Sequence, residues 1–324
     1  MKKATKLISV LLILALFFAM AIGSGDDKDE KDNSVKTPSS VTTEGKPDSN
    51  DSKVNNADKT EPKATKQPVA KATKEPSISI EEAVLLDQNG IKITVKSLNT
   101  NGIFGPELKM LFENSSEQNV TIQARNTSVN GYMIEPMMSV DIASGKKAND
   151  SMTLSSSELE RAGIKTIADI EFNFHVFNSD SWNDLFNSDT IKIETSAAKD
   201  YQYSFDNSGD QVYNSNGIEV VIKGLSKEDS WLGKEIVVYI SNESSKNVTI
   251  QVRDVSVNGF MVDPIFSCDV TAGKHAVDTI TISSTDLEKN EIKDIESIEL
   301  SFHIFNADTW DTIADSPTVT ITFD

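Results

Sequence analysis

The stretch NVTIQARNTSVNGYMIEP at 119–136 returns as NVTIQVRDVSVNGFMVDP at 247–264. A second pair, NFHVFNSDSW at 173–182 and SFHIFNADTW at 301–310, keeps the same offset of 128 residues. From Glu107 and Glu235 onward that single offset aligns roughly 40 identical residues over 89 positions, and one inserted residue in the preceding loop reduces it to 127 earlier. Self-similarity at a domain-sized period predicts a duplication: two copies of one folding unit in tandem.

Working outward, each copy reads as strands. IKITV (91–95) and IEVVI (218–222) alternate apolar and polar residues and follow Asn-Gly pairs at 89–90 and 216–217, the strongest short hairpin signal. LKMLF and IVVYI come next, then the polar turns NSSEQN and NESSKN, then VTIQ. Asn-Gly pairs at 130–131 and 258–259 predict tight hairpins into YMI and FMV, which Pro136 and Pro264 end or confine to an edge. Gly145 and Gly273 belong to turns. SSSELERAG and SSTDLEKNE carry capping residues and predict one short helix per copy. The strongest strand follows, IEFNFHVF or IELSFHIF, and IKIE or VTITF closes each copy. About seven or eight short strands per ~115 residues is the pattern of an all-β sandwich.

The strand–turn–strand opening, the step ENSSEQNVTI (113–122) and the late helix-then-strand element resemble bacterial immunoglobulin-like, telokin-like surface modules, over about 80–197 and 207–324. That resemblance implies two tandem immunoglobulin-like sandwiches and extracellular binding or scaffolding rather than chemistry. The disulfide and core tryptophan of antibody domains are absent from the pattern.

Upstream, Lys2, Lys3 and Lys6 precede an apolar run from Leu7 to Ile22, the layout of a secretory signal. The run is slightly short of the ~20 residues that span a bilayer, so residues 1–23 are a cleaved signal peptide or an uncleaved membrane anchor. Residues 24–78 are Asp, Lys, Ser, Thr, Asn and Pro with few aliphatics, and KATK occurs at 63–66 and 71–74. Such a stretch cannot offset its ordering entropy and is expected to be a disordered linker with a reach of ~40 Å. Repeat 1 is then 79–197 and repeat 2 is 198–324. Tyr201, Tyr203 and Phe205 make the connection either a first strand of the second copy or a free hinge.

The formal net charge of −19 resides on the two copies, at roughly −21, since the leader is basic and the linker near neutral. That excludes a nucleic-acid binder and docking on an anionic lipid surface; contact with a membrane is left to the N-terminal segment. Cys268 is the only cysteine, so no intrachain disulfide forms. Its counterpart in the first copy is Val140, which predicts a small buried hydrophobe rather than a reactive thiol.

No P-loop, Rossmann glycine run, GxSxG or HExxH occurs; catalytic residues, metal ligands and cofactors are expected to be none. His175 and His303 occupy the same site in the two copies, on the outward face of the strongest strand. The acidic sets Asp180, Asp184, Asp189 and Asp308, Asp311, Asp315 follow it in what reads as loop, without the spacing of an EF-hand. A metal-dependent hydrolase built on them and the histidines is the minor alternative. Phe104 and Trp231 sit just before a Gly in the early loops and read as one equivalent position, while Trp182 and Trp310 lie in equivalent late loops. Loop aromatics either plug the open end of a sandwich or are displayed for sugars and protein partners. With His175 and His303 these four are the candidate ligand-binding residues, for a protein or glycan partner at the cell envelope. A structural component acting through strand edges or module contacts is the alternative.

Overall fold

The computed structural model describes residues 78–227 and 230–323; the expected leader (1–23) and linker (24–78) lie outside these, save Ile78. The first copy contains β1 Ala83–Gln88, β2 Ile91–Asn99, β3 Glu107–Asn114, β4 Val120–Val129, β5 Tyr132–Met133, β6 Pro136–Met137, β7 Ser139–Ile142 and β8 Lys147–Leu154. Helix α1, Ser156–Arg161, leads into β9 Asp169–Asn178, β10 Asp184–Asn187 and β11 Ile191–Glu194. The second copy repeats this with β12 Asp210–Ser215, β13 Ile218–Leu225, β14 Gly233–Asn242, β15 Val248–Val257, β16 Phe260–Met261, β17 Ser267–Val270 and β18 Lys274–Ser283. It ends with α2 Ser284–Lys289, β19 Ser297–Asn306, β20 Thr312–Asp315 and β21 Val319–Thr322.

The fold is all-β, and each copy is a sandwich with its own core. One sheet of the first copy runs β1-β2-β3-β8-β6, and the facing one runs β10-β9-β4-β5, with β7 on β4 and β11 on β9. Alternation along β9 shows why they close: Ile170, Phe172, Phe174 and Val176 are fully buried, while Glu171, Asn173 and His175 turn outward. Phe174 meets Phe112 of the facing sheet edge-on. The second core is built from the equivalent Leu300, Phe302 and Ile304 against Ile236, Val238 and Ile240. Each such side chain contributes about 1.5–3 kcal/mol. Both cores close within residues 78–323, which are therefore self-contained as a folding unit.

Turn chemistry fixes the registers. The Asn-Gly pairs at 89–90, 130–131, 216–217 and 258–259 hold both residues at positive φ, for example 50° at Asn130 and 85° at Gly131, as a type I′ hairpin requires; a fifth pair, Asn101-Gly102, does not adopt this geometry. Ser155 and Ser283 cap the helices by accepting from the backbone N–H of Glu158 and Asp286. Cys268 is buried in the core of the second sandwich, and burial holds its thiol well above the usual range.

The polar turns hide a further support. Asn114 is buried, and its Nδ2 donates to the carbonyls of Gln118 and Ile142, at 2.8 and 2.9 Å. Its Oδ1 accepts from the backbone and hydroxyl of Ser116. Asn242 repeats the pattern with Lys246, Val270 and Ser244. Each side chain ties a hairpin turn to the end of the facing sheet, with its polar groups satisfied.

Tyr201–Phe205 form neither a strand nor a free hinge; the first strand of the second copy begins at Asp210. The Tyr203 hydroxyl bonds to Asp169 of the first copy. Phe205 stacks on His275 of the second at 3.7 Å and meets Tyr132 of the first edge-on at 5.2 Å. Here the copies join. β5 bridges β18 in parallel at Tyr132 and His275, and the His275 backbone N–H donates to Gly131 O at 2.9 Å. Tyr132 rests on the row Val221 and Tyr239, and Met133 packs into the second core. Lys274 pairs with Glu171 at 2.5 Å and Arg161 with Asp278 at 3.7 Å.

Candidate functional site: an aromatic shelf repeated in both modules

Phe177 and Phe305 end β9 and β19 on the face opposite the core, yet both are buried. Trp182 and Trp310 cover them, stacked at 5.7 and 5.4 Å with interplanar angles of 21° and 19°. The tryptophans themselves are 73% and 56% exposed. They do not plug the sandwich; each floats flat on a phenylalanine with its other face open. The turn builds this pose: Asn178 Oδ1 accepts from the backbone N–H groups of Asp180 and Ser181, and the Trp182 N–H donates to Asn178 O. The second copy repeats it with Asn306.

This turn places a bulky aromatic in the left-handed region, φ 60° at Trp182 and 65° at Trp310. A non-glycine residue there costs of order 1 kcal/mol or more. Asn or Gly would fit this backbone at less cost.

His175 and His303 belong to the same shelf. Their rings lie 5.5 and 5.3 Å from Phe177 and Phe305, giving a His–Phe–Trp row in each copy. Here the acidic segments depart from the loop expectation. Asp184–Asn187 and Thr312–Asp315 are strands β10 and β20, paired with β9 and β19. They bring Asn187 Oδ1 to 2.7 Å from His175 Nδ1 and Asp184 to 3.2 Å from Nε2. In the second copy Asp315 sits 2.6 Å from His303 Nδ1, with Arg253 beyond it at 3.9 Å. The remaining carboxylates disperse: Asp180 accepts from Asn119, Asp308 from Asn247, and Asp311 from Thr309. Among the described residues no three His, Cys, Asp or Glu side chains converge to hold a metal ion.

Phe104 and Trp231 lie elsewhere, and they are not equivalent positions. Gly105 and Gly233 each press against a strand carbonyl, Leu154 O and Ile282 O. The carbonyls of Phe104 and Leu232 accept from Ser156 and Ser284 at the helix starts. Phe104 therefore matches Leu232, and Trp231 matches Ile103. Both tips still display an apolar pair, since Phe104 is 71% and Trp231 73% exposed.

No family model matches this chain, and no curated protein matches it. Among solved structures, the YadV chaperone crystal structure is similar at 11% identity and TM-score 0.22, covering 72% of this chain and 100% of its own. A protein of unknown function from Porphyromonas gingivalis W83 gives 9% identity and TM-score 0.19, covering 67% and 91%. Red sea bream transglutaminase gives 8% and 0.19, covering 75% of this chain and 31% of the enzyme. At such scores the neighbours share no arrangement from which a role carries over.

Proposed function

We propose that the chain is an exported, non-enzymatic binding protein that holds two sandwich modules away from the cell envelope to capture a glycan or protein. The observation that carries this reading is the strained, open-faced tryptophan stacked on a buried phenylalanine in both copies. A flat indole takes the apolar face of a sugar ring or a partner's side chain. Gln123, His175 and Asp184 beside it supply hydrogen bonds, as do Gln251, His303 and Asp315 in the second module. Each shelf alone is small; two on one chain raise avidity without any new contact.

Trp182→Ala and Trp310→Ala test it against cell-wall polysaccharide and envelope-protein fractions. Each single variant is expected to weaken binding about tenfold or more, and the double variant to abolish it, since a central aromatic contact contributes on the order of 2 kcal/mol. Fold stability changes by less than about 1.5 kcal/mol, the range of one aromatic pair. Undiminished capture of every bound fraction by the double variant refutes the shelf as the site.

A further inference from the structure

The surface by which the first module docks on the second is repeated, uncovered, at the far side of the second module. Tyr132 and Met133, seated on β18, correspond to Phe260 and Met261. Tyr132 is buried at the junction, whereas Phe260 and Met261 are 49% and 67% exposed. The Gly131 carbonyl, which accepts from the His275 backbone, corresponds to that of Gly259. Both sit in the same Asn-Gly hairpin, with φ 85° and 83° at the glycines.

Among the described residues the reciprocal surface is also unpaired, on the first module. The edge of β18 that receives β5 corresponds to the edge of β8 around Lys147. Both ion pairs across the existing junction have charge-matched counterparts at these ends. Glu171 with Lys274 becomes Glu299 with Lys146, and Arg161 with Asp278 becomes Lys289 with Asp150. All four of these residues are exposed. The anion of one pair and the cation of the other stay on the hairpin end, as they are at the junction.

We infer that the chain associates head to tail with a second copy of itself, the Phe260–Met261 hairpin of one molecule docking on the β8 edge of the next as β5 docks on β18. Such a contact is heterologous, so it leaves a free hairpin at one end and a free edge at the other, and it propagates into open linear assemblies. It is weaker than the internal junction. The aromatic and aliphatic seat of Tyr239 and Val277 is replaced by Leu111 and Asn149, and the internal contact is aided by the covalent link. The assembly is therefore one of high local concentration.

Sedimentation velocity on residues 78–324, at rising protein concentration and two ionic strengths, tests this. The expected result is a weight-average coefficient that climbs without a plateau and falls back in high salt. Phe260→Asp abolishes the climb. Lys146→Glu weakens it about fivefold or more, and the double variant Lys146→Glu, Glu299→Lys restores it, because the exchanged charges meet again between molecules. Circular dichroism of each variant confirms that the fold is kept, so loss of association is read on folded protein. A species that stays monomeric to about 1 mM, a plateau at a closed dimer, or a charge exchange that fails to restore association overturns the inference. Carbohydrate binding through the tryptophan shelves does not depend on it.

Discussion

Asn242→Ala lowers the stability of the second module by about 3 kcal/mol, with a Tm drop on the order of 10 °C. The side chain is fully buried. Its amide donates to Lys246 O and Val270 O, both at 2.8 Å, and its carbonyl accepts from Ser244. Alanine removes all of these at once and leaves the carbonyls and a backbone N–H without partners near the sheet end. An unsatisfied buried group costs about 1–3 kcal/mol, more than the bond itself contributes, and several are orphaned together. Asn242→Asp is no rescue: it keeps the acceptor for Ser244 but turns a second anionic oxygen on two carbonyls. Calorimetry of the wild type and both variants measures the effect. A loss below about 1 kcal/mol for alanine would mean that water enters the turn and replaces the side chain.

His275→Ala loosens the junction by about 2 kcal/mol, the sum of one stacked ring pair and one hydrogen bond. The imidazole stacks on Phe205, lies against Tyr239, and bonds to the Tyr239 hydroxyl through Nδ1 at 2.8 Å. Burial lowers its pKa from the ordinary 6.5; Glu243 and Glu219 oppose this and Lys274 adds to it. The same desolvation pushes the Tyr239 hydroxyl up to about 12, so it remains a neutral partner. Because the folded value lies below the unfolded one, the opened chain binds the proton more tightly. The junction's contribution is therefore complete above pH 6.5 and is lost as pH falls through the lowered folded value. Small-angle scattering across this window reads it as an increase in the radius of gyration, present at every pH for His275→Ala. A radius independent of pH in the wild type would show that the other junction contacts hold the modules without the ring.

Much of the fold is legible in the sequence because its signals are local. The Asn-Gly hairpins, the serine caps and the alternation IEFNFHVF each concern neighbours in the chain, and each forms as those residues require. The duplication made them legible twice. What escaped is what depends on distant partners. DLFN and TIAD are strands only because β9 and β19 offer an edge; their own residues lack alternation and resemble loop. Asn114 and Asn242 look like turn formers until the sheet closes over them. The junction joins Tyr132, Phe205 and His275 from three separate regions, and neither Phe205 nor His275 carries a periodic signal.

The candidate site divides similarly. His175, Trp182, His303 and Trp310 were visible as paired positions, but Phe177 and Phe305, the floor between them, were not singled out. Both face away from the core, and the overlying indoles and neighbouring imidazoles cover them. The one-residue shift of Phe104 against Trp231 shows the limit of aligning loops by residue type: the backbone contacts of Gly105 and Gly233 set the true register.

Tryptophan emission and acrylamide quenching are the most direct test of a displayed shelf, on three variants of residues 78–324 that each retain one tryptophan and carry Phe at the other two. Trp182 and Trp310 are expected to emit at long wavelength and to quench readily, each from its open face, as is the lone loop residue Trp231. Blue-shifted emission protected from acrylamide at Trp182 and Trp310 would place both indoles inside the sandwich ends, and the binding surface proposed for this protein would not exist.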